Sequence, residues 1–533
     1  MKEEAAQNQL IEALLDPACY PHPVGRIQHV ETHISHVLLT GDFVYKLKKP
    51  LNLGFLDFST LDKRRFYCEE ELRLNRRLAP DIYLEVVTFN GEIAAPCLNG
   101  PGPVLDYAIK MDQFDPDTTL DRLDHLAQLS VQHVDTIAST VADFHLHTPY
   151  ALMDSPWGTA ETVWDSVAHN FEHISNQAGE KPEGVQWLEA IHQWSVAEHN
   201  KLLSDFELRR VQGYVRECHG DLHLGNMAWK AGKLLIFDCI EFNPALRWID
   251  VMSEVAFCYM DLLFRNHHDL ASRFLNRYLE RTGDYAGIKL LRYYAVYRAM
   301  VRAKVAFIRA TQSGLSVEMA EYERQQGWDH LQLAERLTRG LKPVLMITHG
   351  LSGSGKTVFS QSLIMSFEMI SLRSDIERKR LAGLEALAKS GSSVESGIYS
   401  REFSRRTYDF LAEFAETLLE AGWHVLVDAT FIARWQRELF QQMAMRCGAG
   451  FYILDFPVPE TLLRQRIQAR NVTGKDASEA DISVLELQLK THEALTHAEA
   501  HMVIEATTVE SVAAKLKAAV TLHNSLLLFP NQN

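Results

Sequence analysis

Apolar residues recur along this chain in three successive rhythms. Over residues 25 to 115 they form short alternating or continuous runs, such as Phe43-Val44-Tyr45 and Leu84-Glu85-Val86-Val87, around one charged helical stretch from about Leu61 to Leu78. Runs of that length and make-up predict strands, so this segment reads as a small lobe of strands with one helix. From about Leu120 to Leu337 the spacing turns helical, as in Val131, Val134, Ile137 and Val141 and again from Leu290 to Ile308, with a strand-rich insert at about 213 to 240. Beyond 343, strands over Val344–Thr348, Glu368–Leu372, His424–Val427 and Gly450–Leu454 alternate with helical segments, the pattern of a parallel sheet with helices on both faces. Gly340 and Pro343 interrupt the helical spacing just before the first of these strands. The expected organisation is therefore two domains, an α+β domain over 1–340 and an α/β domain over 341–533.

Composition narrows the class. A chain of 533 residues, 47% hydrophobic, exceeds what one core serves and can build two or three. Its formal charge of −15 argues against nucleic acid or an anionic membrane as the main partner, since both need a basic surface. Seven cysteines without a CxxC pair suit reduced thiols better than a disulfide framework or zinc. The segment Met1 to Leu15 is acidic and amphipathic rather than a secretory signal, and no run is long enough to span a membrane, so a cytoplasmic protein is expected. Within this acidic chain Arg292, Arg298, Arg302, Lys304 and Arg309 form a basic series, which reads as pairing with local glutamates, as a docking surface or as an anion site.

Chemistry enters at Gly350-Leu351-Ser352-Gly353-Ser354-Gly355-Lys356-Thr357, a complete Walker A loop directly after the apolar run Val344 to Thr348. A strand feeding a glycine turn that opens a helix aims consecutive backbone N–H groups at one spot, which suits phosphate. Lys356 is expected to reach the β- and γ-phosphates, and the Thr357 hydroxyl to hold Mg²⁺. Asp375 follows the second strand of this half, where a carboxylate can accept the proton of an attacking hydroxyl. Asp428 ends the third strand as a candidate Walker B ligand of Mg²⁺. Arg464, Arg466 and Arg470 lie on a helix continued by Gly474-Lys475-Asp476, where arginines on a lid would stabilise a transferring phosphoryl group. Arg378, Lys379 and Arg380 read equally well as a solvated helix start.

A second constellation lies upstream. His219-Gly220-Asp221-Leu222-His223-Leu224-Gly225-Asn226 sets an aspartate five residues before an asparagine, and the strand Leu234 to Phe237 then delivers Asp238. Phosphoryl transfer needs a carboxylate to orient the acceptor hydroxyl, a role for Asp221, and oxygen ligands for Mg²⁺, roles for Asn226 and Asp238. Lys46, at the end of Val44-Tyr45-Lys46, with Lys48 as alternate, would pair with Glu70 or Glu71 on the following helix to align ATP phosphates.

At these residues the segment from about 25 to 310 resembles the aminoglycoside phosphotransferase and small-molecule kinase family, whose signature is an HGD-x-x-x-x-N loop followed by a strand-ending aspartate. The resemblance implies a bilobal protein-kinase-like fold, with Met111-Asp112-Gln113-Phe114 near an adenine-binding hinge. His33-Ile34-Ser35-His36, ahead of Lys46, lacks the glycines of a protein-kinase phosphate loop. Residues 343 to 520 resemble the P-loop kinases grouped with gluconate kinase, polynucleotide kinase and zeta-toxin-like enzymes. Together they imply a fusion of two phosphotransferases, each using ATP and Mg²⁺ on a small-molecule acceptor. The rival is a P-loop kinase of nucleotide or nucleic-acid ends whose N-terminal domain senses a ligand.

Overall fold

The computed structural model describes residues 2–52, 54, 56–178, 181–312, 314–340, 342–386, 388–390, 397–473 and 479–525, without the side chains of residues 2, 176, 178, 470–473 and 519–525. Near the N-terminus, strands β1 (Gln28–Glu31), β2 (Ser35–Leu39), β3 (Phe43–Lys48), β4 (Tyr83–Glu92), β5 (Ala95–Leu98) and β6 (Val104–Asp112) form one antiparallel sheet in the order β1-β2-β3-β6-β4-β5. Alternation along β3 buries Tyr45 and Leu47 against Leu38, Phe89 and Ala108, together with Leu10 and Leu14 of the helix Lys2–Ala13. The opposite face of the sheet receives the helix Leu61–Asn75, which opens with Thr60 accepting from the Lys63 N–H and carries Cys68 into a cluster with Ile82, Tyr83 and Ile109. The strand-rich insert consists of β7 (Val215–Glu217), β8 (Met227–Lys230), β9 (Lys233–Ile236) and β10 (Trp248–Asp250), paired as β8 with β9 and β10 with β7. A six-stranded sheet with the helix Leu61–Asn75 on the face opposite the helix Lys2–Ala13, followed by a hairpin insert carrying the His219–Asn226 loop, is a protein-kinase-like arrangement.

Strands β11 (Val344–His349), β12 (Ile370–Arg373), β13 (Val425–Asp428), β14 (Gly450–Asp455) and β15 (Val503–Glu505) form a parallel sheet in the order β12-β13-β11-β14-β15. All residues of β11 and β13 are buried, as expected of strands covered on both faces. The chain leaves β11 toward one side of the sheet and later returns to the other, so the carboxyl end of β11 is a switch point where ligands bind in open α/β sheets. Strands β12 and β13 start and end later than their apolar runs suggest, which makes Asp428 the last residue of β13, opposite Arg373.

The compact units do not part at residue 340. One takes in residues 1–133, 147–166 and 206–258, the other residues 134–146, 167–205 and 259–533. Helices ahead of the break at Gly340 and Pro343 thus share a unit with the parallel sheet, and the contacts explain why. Ser272 Oγ donates to the Ile364 carbonyl (2.8 Å), and Asn276 Nδ2 donates to the Met369 carbonyl (2.8 Å) while its Oδ1 accepts from the Ser371 N–H (2.7 Å). Arg292, from the basic series, donates to the Gly422 carbonyl and lies over the Trp423 ring. Arg298 is buried, and Arg309 lies 3.9 Å from Glu323, so the series divides between docking, burial and a glutamate. Gly340 and Pro343 mark where a helix ends rather than where packing ends.

Candidate active sites

The first site is assembled from the N-terminal sheet and the hairpin insert. Lys46 alternates on β3 to the face that meets the helix Leu61–Asn75, where its Nζ donates to Glu71 Oε1 (2.8 Å) and to Asp238 Oδ1. Burial opposes the charge on Lys46, but Asp238 and Glu71 outweigh it and hold the ammonium well above its ordinary pKa. Lys48 takes the other Glu71 oxygen (2.6 Å) and also bonds Glu241. Burial pushes the Glu71 carboxyl up, and the two lysines override it, leaving it at about 2. The alternatives left open by sequence are thereby separated in space. Glu71 faces Lys46, whereas Glu70 is engaged by Arg73 and by Arg247 (2.8 Å).

The catalytic-type loop is held from beneath by a residue that no motif announces. Glu254 accepts from the His219 N–H (3.0 Å) and the Gly220 N–H (2.6 Å) through its two oxygens. Gly220 has φ +89°, and a Cβ there would lie 2.6 Å from the Leu246 carbonyl oxygen, so only glycine fits. Burial lowers the pKa of His219. As a neutral ring its Nε2–H can donate to the Phe237 carbonyl (2.9 Å) while Nδ1 accepts from the Asp221 N–H (3.3 Å), tying the loop to the end of β9. Asn226 Nδ2 donates to Asp221 Oδ2 (2.9 Å) and to the Asp221 carbonyl (3.0 Å), which fixes the carboxylate and leaves the amide oxygen as the end able to ligate. Asp238 adopts φ +64°, an uncommon conformation for a side-chain-bearing residue, with its N–H donating to Tyr83 Oη (3.2 Å). The hard oxygens of Asn226 and Asp238 fit Mg²⁺ in kind. At the expected hinge, Asp112 pairs with Lys230 and Phe114 packs on Phe237.

The second site surrounds the loop after β11. Gly350, Gly353 and Gly355 have φ of +154°, +83° and +93°, and a Cβ on Gly353 would come within 3.0 Å of Ile467 Cγ1 and the Leu463 carbonyl. Glycine is needed there for the turn and for the close approach of the helix Glu460–Thr473. Lys356 Nζ donates to the Gly350 (2.8 Å) and Leu351 (2.9 Å) carbonyls and to Ser354 Oγ (3.3 Å), folded back over its own loop. Ser352, Gly353, Lys356, Thr357, Asp375, Asp428 and Arg466 line one cavity of about 410 Å³. Burial raises the Asp428 pKa against the pull of Arg373, Lys356 and a Thr357 hydrogen bond, and Asp375 adds to the rise. A buried carboxylate that its neighbours do not fully compensate, beside a threonine hydroxyl, fits a divalent cation.

Arg466 Nη1 donates to the Ser354 carbonyl (3.2 Å), placing it against the phosphate loop, whereas Arg464 is spent on Glu460 and Glu486. The Arg470 side chain and Gly474-Lys475-Asp476 lie outside the described residues. The reading of Arg378, Lys379 and Arg380 as a solvated helix start is overturned. Arg378 and Lys379 are buried and Arg380 is half-buried, because the helix Ser374–Leu381 is enclosed by residues 397–408, by Glu479 and by residues 280–285.

Residues 345–495 match the family model of the AAA domain. Over 475 residues, 87% of this chain and 91% of theirs, the chain is 28% identical to uncharacterized proteins of Mycobacterium bovis and Mycobacterium tuberculosis. Among solved structures it is similar to a choline kinase from Cryptosporidium parvum, with 12% identity, 58% of this chain and 89% of that one covered, and a TM-score of 0.39. It is also similar to a gluconokinase from Sinorhizobium meliloti, with 16% identity, 36% and 98% covered, and a TM-score of 0.25. In architecture, a protein-kinase-like N-terminal part precedes a P-loop domain. Among the described residues no helix is long and apolar enough to cross a membrane.

Proposed function

We propose that this chain is a bifunctional ATP-dependent phosphotransferase acting on small hydroxyl-bearing molecules, with a separate nucleotide site in each part. The observation that carries the reading is duplication. Each site has its own lysine, its own acceptor-side carboxylate and its own oxygen pair for Mg²⁺: Lys46, Asp221 and Asn226 with Asp238 in one, Lys356, Asp375 and Thr357 with Asp428 in the other. Bound Mg²⁺-ATP would supply the phosphoryl group and the charge neutralisation that lets it move.

The chain's own residues supply position and proton handling. In the first site Glu71 presents Lys46 to the nucleotide, and Asn226 holds Asp221 ready to accept a hydroxyl proton. In the second, Lys356 and Arg466 sit against the phosphate loop, while Asp375 lines the same cavity as the acceptor base. The seven cysteines are free thiols, which suits a cytoplasmic setting where ATP is abundant.

The test uses the full chain and screens ATP consumption over sugars, amino alcohols, nucleosides and aminoglycosides. Asp221→Asn is expected to lower one transfer reaction by roughly 10²- to 10⁴-fold and Asp375→Asn another, each sparing the partner reaction. Near-normal turnover in both variants would overturn both base assignments. Loss of every reaction in either single variant would leave one active site and a sensing domain.

A further inference from the structure

Strands β11 and β14 run side by side in the parallel sheet, and their last residues, His349 and Asp455, are register partners. His349 is buried there, and its Nδ1 lies 2.7 Å from Asp455 Oδ1. An ionised carboxylate only accepts, so the ring carries its proton on Nδ1 and keeps a lone pair on Nε2. That Nε2 lies 3.2 Å from Nε2 of His492, the residue that closes the helix Ile482–Thr491. The segment bearing His492 is fixed in turn, because the Glu493 N–H donates to the Ile432 carbonyl (2.9 Å). Both rings and Asp455 line a cavity of about 300 Å³ that shares no lining residue with the cavity of Asp375 and Asp428. Its other walls are largely apolar, with Leu351, Phe456, Val458 and Leu463, so its polar groups are concentrated at the two rings and Asp455.

Two imidazole nitrogens at this separation can share one proton as a hydrogen bond or one metal ion as ligands. A tetrahedral Zn²⁺ with bonds of about 2.0–2.1 Å to nitrogen sets its ligand atoms roughly 3.3 Å apart, close to the 3.2 Å found here. Asp455 favours the metal. Histidine ligands characteristically donate their other ring N–H to a carboxylate, which fixes the tautomer and makes the ligating nitrogen more basic. The cavity beside the rings leaves room for water to complete the coordination. His492 is exposed, so its proton can pass through solvent to Nδ1 and leave Nε2 as a ligand. Imidazole pairs suit Zn²⁺ and the neighbouring transition metals, whereas Mg²⁺ prefers oxygen. We propose that His349 and His492 form a binding site for a divalent transition-metal cation of the zinc class, with Asp455 as the carboxylate behind His349. Such an ion ties the residue directly ahead of the phosphate loop to the end of a helix whose Gln488 accepts from the Ser352 N–H (2.9 Å), and so braces the loop from outside the reaction cavity.

The experiment is calorimetric titration of the reduced full chain with Zn²⁺ in excess Mg²⁺, which occupies oxygen sites. A saturable Zn²⁺ step is expected in the wild type and should be missing from His492→Ala, an exposed position where truncation leaves urea unfolding without metal unchanged. Asp455→Asn should weaken the same step by about 10- to 100-fold, the usual cost of altering the partner of a histidine ligand. His169 and His173, whose Nε2 atoms also lie 3.2 Å apart but on the exposed helix Ala160–Ala178, serve as the control pair, and His173→Ala should leave the step intact. Co²⁺ in place of Zn²⁺ should give the visible absorption of a four-coordinate site in the wild type and not in His492→Ala. No saturable Zn²⁺ step in the wild type, the same isotherm in wild type and His492→Ala, or a step lost in His173→Ala instead overturns the proposal and leaves the contact of His349 with His492 as a hydrogen bond between rings.

Discussion

His330 is buried on the helix Val317–Thr338 with its ring stacked 3.6 Å from that of Phe264, its Nδ1 facing the Gln326 carbonyl and its Nε2 without a hydrogen-bond partner among the described residues. Burial, reinforced by Arg302, lowers its pKa from 6.5 to about 3. The folded state therefore keeps this ring neutral while the unfolded chain protonates it, so its contribution is intact above pH 6.5 and is lost as pH falls toward 3. At pH 5 the loss is about 2 kcal/mol. His330→Phe keeps the stack and removes the titration. Between pH 7 and pH 5, urea unfolding should show the stability difference moving by about 2 kcal/mol in favour of the variant, and a constant difference would refute the assignment. This histidine shows what sequence can and cannot say about single residues. The groups around Lys356 were legible because the loop is local, and Asp221, Asn226 and Asp238 because their order along the chain is short-range. Glu254, Arg378 and the choice of Glu71 over Glu70 were not, because each depends on which distant segment covers the side chain.

At the scale of elements, β12 is the edge of the parallel sheet, and an edge exposes unpaired backbone groups. Here Asn276 reaches from the helix His268–Thr282 and acts as one residue of a missing strand, satisfying both the Met369 carbonyl and the Ser371 N–H. The helix that follows β12 is fixed from the same side, because Tyr285 Oη donates to the buried Glu377, two residues beyond Asp375. Asn276→Leu should therefore cost about 2–4 kcal/mol, the penalty of leaving two buried backbone groups unpaired. Hydrogen exchange at Ser371 and Leu372 should speed up in this variant while the N-terminal sheet stays protected. Unchanged exchange there would mean that β12 is held by β13 alone. The periodicity of the chain located most of these elements, since buried parallel strands and amphipathic helices carry strong patterns. It did not resolve β1, exposed along its whole length, or β15, three residues long. Nor could it show that helices ahead of residue 340 cover the edge beyond it, because a glycine and a proline report on local backbone and not on packing.

On the proposed reading the same ligand is called for twice across the whole molecule, and the two candidate sites draw on no common residue. Lys46 is compensated by Glu71 and Asp238, and Lys356 by the carbonyls and serine of its own loop. Each ammonium has local partners that a nucleotide phosphate can replace, so binding at one site does not need the other lysine. Titration of the full chain with AMP-PNP and Mg²⁺ should give two sites per chain. Lys46→Ala should remove one and Lys356→Ala the other, because deleting either ammonium removes the charge that faces the phosphates at that site and typically costs a few kcal/mol. The net charge of −15 makes the local cations decisive, since an acidic molecule offers ATP no general attraction and salt should weaken both sites only modestly. A single site abolished equally by both substitutions would mean that one half is regulatory. Two sites of which only the Lys356 site survives Asp238→Asn would instead support the first as a true Mg²⁺-nucleotide site, since that carboxylate bonds Lys46 and has no contact with the P-loop among its hydrogen bonds.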